Sequence, residues 1–254
     1  HAAMTPSDAT PPERSPPDPP PEPTPSDAAP ARPAFRHIVW PIAIAETIVW
    51  AAIYYIFPAL LPAWEADLGW SKTVLAGAFT LALVASGIFS PFAGRLIDRG
   101  HGRAVLAGGA ALASLLLLLL SQATSVWQFY LLWFGLGIAM SVSLYQPCFA
   151  LLTHAFGDRA RRAITLVSLV AGFAGTVSFP GAHALEAIGG WRFALMVFAA
   201  AVALVAVPLF WQSAGAAARA ADLFAPGAGP RLRDAASVAG LLLTTEAAVT
   251  EKPE

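Results

Sequence analysis

Six long apolar stretches constrain the fold of this chain more than any other feature. A helix needs roughly 17–25 mostly apolar residues to cross the hydrocarbon core of a bilayer. Hydrophobic residues make up 57% of the 254 residues and charged residues 12%, about half the charged share of a soluble domain. The sequence therefore predicts an all-α membrane protein with a six-helix transmembrane bundle. The predicted spans lie near residues 38–61, 73–92, 104–121, 127–152, 163–182 and 191–211.

The remaining segments have a different composition. Residues 1–35 are rich in Pro, Ala and acidic residues, which predicts a disordered tail, and they lack the pattern of a signal peptide. The bundle is assigned to residues 36–212. Residues 213–254 form the predicted cytoplasmic linker or tail, because the apolar run near 238–243 is too short to span a bilayer. The alternative is that this run is the broken start of something longer.

Basic residues are concentrated in every second loop between the predicted spans, which places them on one side of the membrane. Because basic loops stay in the cytoplasm, this pattern predicts that both termini are cytoplasmic. Abundant Ala and an excess of Arg over Lys suggest a GC-rich genome. The expected location is a bacterial inner membrane. The side predicted to be cytoplasmic carries Arg32, Arg36, Arg95, Arg99, Arg103, Arg159, Arg161, Arg162, Arg219, Arg231 and Arg233. The opposite side carries Lys72 and Arg192 beside Glu65, Asp67 and Glu186.

Several classes of function find no support in the residues. Cys148 is the only cysteine, so no disulfide within the chain and no zinc site is predicted. The sequence contains no basic stretch with interleaved aromatic residues, so nucleic-acid binding is not predicted. No nucleophile and base arrangement, phosphate loop or metal-ligand spacing is present. We therefore expect no enzyme activity, no metal and no cofactor.

Glu46 is the one acidic residue well inside a predicted span. Counted along a helix from Ile38, it lies about 12 Å deep, near the middle of a core of roughly 30 Å. An ionisable group at that depth is costly and usually faces a cavity or a partner. The functional interpretation is a site for a proton or a solute. The alternative is a neutral glutamate that is hydrogen-bonded to a neighbouring helix.

Two groups of polar and aromatic residues accompany Glu46. Trp50 and Tyr54 follow it at helical spacing on the same face, where they line a passage or simply pack. In the fourth span, polar residues form a stripe that points into the bundle, either toward a passage or for hydrogen bonding between helices. The stripe comprises Ser141, Tyr145 and Cys148, with Gln146 and Pro147 beside it. The candidate solute and proton pathway is therefore Glu46, Trp50, Tyr54, Ser141, Tyr145 and Gln146.

The turn between the second and third spans carries a motif. The segment reads Gly94-Arg95-Leu96-Ile97-Asp98-Arg99-Gly100-His101-Gly102-Arg103. Asp98 can accept hydrogen bonds from a helix N-terminus or an arginine; the alternative is a basic turn that only sets topology. The segment resembles the loop signature of the major facilitator superfamily, Gly-x-Leu-x-Asp-Arg-x-Gly-x-Arg. Gly94, Leu96, Asp98, Arg99 and Arg103 match, whereas His101 stands where the family has glycine.

Shorter segments resemble one branch of that superfamily, the monocarboxylate and oxalate/formate transporters. They are residues 68–71 before the second span, 161–163 with Gly172 and Gly175 in the fifth, and 190–194 at the start of the sixth. Many drug/proton antiporters of the superfamily have an arginine inside the fourth span. Trp133 stands near that position here, which disfavours that subclass.

The resemblance implies a secondary transporter that works by alternating access around a midplane site. It implies the N-terminal six-helix half of a twelve-helix architecture, which would pair with a second copy or with a C-terminal half. The expected partners are the lipid bilayer and a small solute, such as a monocarboxylate or another organic anion carried with a proton. The rival hypothesis is a truncated six-helix fragment or assembly subunit that has no transport activity of its own.

Overall fold

The computed structural model describes residues 32–224, and side chains are described for residues 35–157 and 159–217. The predictions made for residues 1–31 and 225–254 lie outside the described residues. The helices of the described part, in chain order, are α1 (Arg32–Trp50), α2 (Ile56–Leu68), α3 (Lys72–Leu96), α4 (Gly102–Leu120), α5 (Val126–Ser143), α6 (Tyr145–Phe156), α7 (Ala160–Ala171), α8 (Ala174–Ala201) and α9 (Val207–Phe224). Short π-type or 3-10 turns join several of them, at Ala51–Tyr55, Ile97–His101, Gly157–Arg159 and Val202–Ala206.

Four helical stretches within residues 32–224 are long and apolar enough to cross a membrane. The all-α membrane fold is thereby confirmed for this part of the chain. The predicted count of six spans is not confirmed, because only four separate stretches are found in this part of the chain. Two of the four each cover two of the predicted spans. The four stretches are Phe35–Leu68, Lys72–Leu120, Val126–Phe156 and Ala160–Ala217.

Both of the longest stretches contain a glycine that departs from helical geometry. Gly100 has φ 83°, and Gly190 has φ 77° with ψ 173°. L-residues rarely adopt positive φ, so these positions favour glycine and interrupt the helical path. Gly100 lies in the signature loop, one residue before His101. The left-handed turn residue is therefore present although the family glycine is replaced.

Small residues allow the helices to approach closely. A side chain at Gly137 on α5 would collide with the backbone of Ala82 on α3. Aromatic side chains fill the space beside this contact, with Trp133 edge-on to Phe57 at a centroid distance of 5.0 Å. Without a hydrophobic drive between helices in lipid, such close packing is the main attraction that holds them together.

Large apolar side chains cover much of the outer surface. Ile188 and Leu204 are each 76% exposed, and Trp127 is 74% exposed. In water such exposure would be unfavourable, whereas lipid chains solvate it. The outer surface thus agrees with a chain embedded in a bilayer.

Candidate solute and proton site

The fourth predicted span is broken in its middle. Leu144, between α5 and α6, has φ −95° and ψ −165°, which is extended rather than helical. Pro147 explains the position, because proline has no N–H to donate and its ring crowds the carbonyl four residues earlier, at Ser143. The sequence predicted a span near residues 127–152 that contains Pro147, but it did not predict a break at Leu144.

A cavity of about 330 Å³ opens beside this break. Its wall combines residues from the turn after α1, from α3 and from the junction of α5 with α6. Its volume lies at the lower end of the roughly 300–1,000 Å³ that small-molecule pockets occupy. The lining residues are Trp50, Tyr54, Leu83, Ser86, Gly87, Met140, Leu144, Tyr145 and Gln146.

Aromatic rings form one side of the cavity. The ring centroids of Trp50 and Tyr145 lie 4.6 Å apart with the planes tilted by 42°. Trp50 and Tyr54 lie 5.1 Å apart with a tilt of 58°. These distances are typical of attractive aromatic pairs. Trp50 therefore contacts both tyrosines and joins the first span to the fourth.

Glu46 lies one helical turn before Trp50 and is completely buried. It is not among the residues that line the cavity. The Cys148 thiol and the Trp50 indole are polar groups close to its carboxyl. Neither carboxyl oxygen has a hydrogen bond of ordinary geometry to any described residue, and the same holds for the Trp50 Nε1 atom. The buried acid and the cavity thus share Trp50 as a common neighbour.

The other predicted pathway residues differ in their surroundings. Gln146 lines the cavity, and its Oε1 atom accepts a hydrogen bond from the hydroxyl of Ser90 on α3. Ser141 is 2% exposed and donates to the carbonyl of Ile138 at 2.7 Å, within its own helix. Ser141 does not line the cavity. Four of the six predicted residues therefore meet at one wall, and Glu46 and Ser141 lie behind it.

Sequence reasoning missed the contribution of α3 to this wall. Leu83, Ser86 and Gly87 line the cavity, and Ser90 holds Gln146. Ser86 and Ser90 are four residues apart, so they lie on one helical face. That pair of hydroxyls in an otherwise apolar span was the available signal.

The signature loop is connected to the end of the fourth predicted span. Asp98 Oδ1 lies 3.2 Å from His154 Nε2, and both side chains are more than half exposed. The Arg103 guanidinium lies over the Trp211 ring at 3.6 Å from its centroid. Among the described side chains, the hydrogen-bonding partner of Asp98 is thus a histidine rather than an arginine. Of the other residues that match the signature, Gly94 is half-buried, and Leu96 and Arg99 are exposed.

The opposite end of the bundle carries another acid. Asp67 Oδ2 accepts hydrogen bonds from Trp191 Nε1 at 2.8 Å and from Arg192 Nη1 at 2.7 Å. Asp67 comes near the end of a 34-residue helix, which at about 51 Å extends beyond a core of roughly 30 Å. The Trp191 and Arg192 donors hold the pKa of Asp67 below its ordinary value. The contact ties the end of α2 to the start of the last predicted span.

The described residues contain no group of three or more His, Cys, Asp or Glu side chains that could hold a metal ion. The cavity is the candidate site for a solute, and Glu46 is the candidate site for a proton. The arrangement consists of a cavity between broken and unbroken apolar helices, with an acid enclosed beside it.

Comparison with known proteins identifies the family. The family model described as Major Facilitator Superfamily matches residues 42–247. The chain therefore belongs to the major facilitator superfamily, and it is an integral membrane protein of the transporter class. This match covers the superfamily and selects no branch of it. No curated protein matches the chain, and no solved structure does.

Proposed function

We propose that this chain is a secondary active transporter, or its N-terminal half, that moves a small organic solute together with a proton by alternating access. A monocarboxylate or another organic anion is the proposed solute, on the sequence resemblance to that branch. Family membership supports transport in general. The observation that carries the proton-coupled mechanism is Glu46, a fully buried acid with no hydrogen bond of ordinary geometry to a described residue.

The free-energy cost of burying Glu46 supports a functional role for this residue. A buried polar group without a partner costs about 1–3 kcal/mol, and more if it is charged. A helix has no structural need for such a group in an apolar span, where leucine would pack at no such cost. An ionisable residue inside a membrane is therefore best explained by function. Here that function is to take up and release a proton.

The position of Trp50 supports a coupling between solute and proton. Its indole contacts Tyr145 across the cavity wall and its Nε1 atom is buried near the Glu46 carboxyl. Movement of the Trp50 and Tyr145 rings would open a path between cavity and acid. Solute in the cavity and the proton on Glu46 would then influence each other through one side chain, which is the coupling that a symporter needs.

The proposed topology has six spans with both termini in the cytoplasm. As unbroken helices, the 49 and 58 residues of the two longest stretches would extend about 74 and 87 Å. A hydrocarbon core is only about 30 Å thick. In the proposed topology, the turn at Gly100 divides the first of these stretches into two spans, and the turn at Gly190 divides the second. The basic loops then lie together on one side, as the positive-inside rule requires.

The remaining assignments follow from the same proposal. A bacterial inner membrane is the proposed location. Lipid covers the outer apolar surface, and a second six-helix unit, from another copy or another segment, would cover the open side of the cavity. The link between Asp98 and His154 would hold the cytoplasmic ends of the second and fourth spans together in one state of the transport cycle.

Proton-driven uptake by purified protein in liposomes tests the proposal. An alkaline interior should drive accumulation of small monocarboxylates, and a protonophore should abolish it. Glu46→Gln should reduce the driven uptake to the level of empty liposomes. Glu65→Gln, an acid at the outer end of the same helix, should leave it unchanged. Failure of the wild type to accumulate any acid, with the protein monomeric in lipid, would favour the rival hypothesis of a subunit without transport.

A further inference from the structure

The cavity wall has a composition that the proposed function does not explain. Three of its nine lining residues are aromatic, and none of the nine is charged. A wall that binds a carboxylate would need a cation or several converging hydrogen-bond donors. Without them, nothing compensates the anion for the water that it loses on binding. This wall therefore fits the uncharged end of a solute.

The aromatic residues offer more than apolar area. Trp50, Tyr54 and Tyr145 are each only partly buried, so part of each ring surface borders the cavity. Aromatic rings prefer offset-stacked or edge-to-face partners, and such pairs gain about 0.5–1.5 kcal/mol beyond the area they bury. A flat, unsaturated ring would gain this energy, whereas a saturated ring of equal carbon count would not.

One polar contact supplements the rings. The Ser90 hydroxyl donates to Gln146 Oε1, which orients the carboxamide and leaves its two N–H groups available as donors. Gln146 can then donate to an oxygen on the solute. The cavity volume of about 330 Å³ is sufficient for a solute with one ring, since a cavity of about 150 Å³ can hold benzene.

We infer that this cavity binds the ring of a small, planar aromatic acid, stacked against Trp50 and Tyr145, with Gln146 donating to an oxygen of the solute. The inference rests on the proposed function for the choice of an acid as solute. It adds the substrate class: aromatic carboxylic acids in preference to saturated ones.

Equilibrium binding to the full chain in lipid nanodiscs tests this inference with three probes. The probes are benzoate, cyclohexanecarboxylate and benzylamine, with binding to empty nanodiscs subtracted. Benzoate should bind roughly 2- to 10-fold more tightly than cyclohexanecarboxylate. Equal binding of the two acids, or no binding of either by folded protein, would overturn the inference. Tighter binding of benzylamine than of benzoate would also overturn it, because aromatic walls attract cations as well.

Variants tie the preference to the proposed rings. Trp50→Leu and Tyr145→Leu should each bring the ratio between the two acids close to one, and Tyr145→Phe, which keeps the ring, should preserve the ratio. Trp127→Leu is the matched control, since Trp127 is 74% exposed and does not line the cavity. A ratio that survives both leucine variants would overturn the assignment to Trp50 and Tyr145.

The two proposals fail separately. If protons drive uptake of saturated and aromatic acids equally well, the transport proposal stands and the aromatic preference is wrong. If benzoate binds with the expected preference but protons drive no uptake, the cavity assignment stands and the proton-coupled function is wrong.

Discussion

Two acids on one continuous helical stretch, Glu46 and Asp67, lie in opposite environments. Asp67 is half-exposed and accepts hydrogen bonds from Trp191 and Arg192. Glu46, about 32 Å of helix away, is completely buried and has no hydrogen bond of ordinary geometry to a described residue. Asp67 is surrounded as a structural acid is, with its charge compensated. The surroundings of Glu46 agree with the proposal that this acid binds and releases a proton.

Cysteine labelling tests whether the two acids lie in different environments, and it gives an all-or-none result. In a Cys148→Ala background, Ala66→Cys beside Asp67 should react with an impermeant maleimide from outside sealed cells. Arg99→Cys in the signature loop should react only after the cells are permeabilised. Glu46→Cys should stay unreactive in both cases without solute, because the position is buried. Labelling of Arg99→Cys in sealed cells would contradict the proposed topology.

The next prediction concerns stability and gives opposite signs for the two acids. Glu46→Leu removes an unpartnered polar group, so the thermal midpoint in detergent should rise by about 2–10 °C. Asp67→Asn should lower it slightly. The same Glu46→Leu variant should not transport. A fall in the midpoint for Glu46→Leu would indicate that Glu46 stabilises the fold and is not kept for function alone.

A smaller effect is expected at the signature loop, where Asp98 and His154 form a surface pair. Such pairs contribute up to about 1 kcal/mol, so Asp98→Asn should change the initial uptake rate by at most about five-fold. Asp98→Glu, which keeps the charge, is the control and should retain most of the rate. Unchanged uptake and unchanged stability in Asp98→Asn would mean that the loop acts only in setting topology.

The smallest effect is the pH dependence of the Asp67 contact. Because its pKa is lowered in the folded protein, the contact stabilises above the ordinary pKa of an aspartate and is lost as the pH falls through the lowered value. The thermal midpoints of wild type and Asp67→Asn should therefore differ by a degree or two near pH 7 and converge in acid, since an exposed pair contributes little. A difference that grows in acid would contradict this account.

The sequence predicted the features that depend on local chemistry. Apolar length predicted a helical membrane protein, and the depth of Glu46 marked it as unusual. Pairings across long sequence separations could not be predicted, because nothing local specifies them. Asp67 with Trp191 and Asp98 with His154 are examples. The break at Leu144 carried a signal in Pro147, but proline is tolerated in many membrane helices, so its effect depends on neighbouring contacts.

The central claim is that Glu46 carries the coupled proton, and comparing exchange with driven uptake in Glu46→Gln tests it most directly. Glutamine keeps the size and polarity of the side chain but cannot bind a transported proton. Liposomes preloaded with unlabelled solute should exchange it for labelled solute at a rate close to the wild type. Liposomes that hold the same variant but contain no solute should fail to accumulate it when a proton gradient is the only driving force. Full proton-driven accumulation by Glu46→Gln would contradict the account.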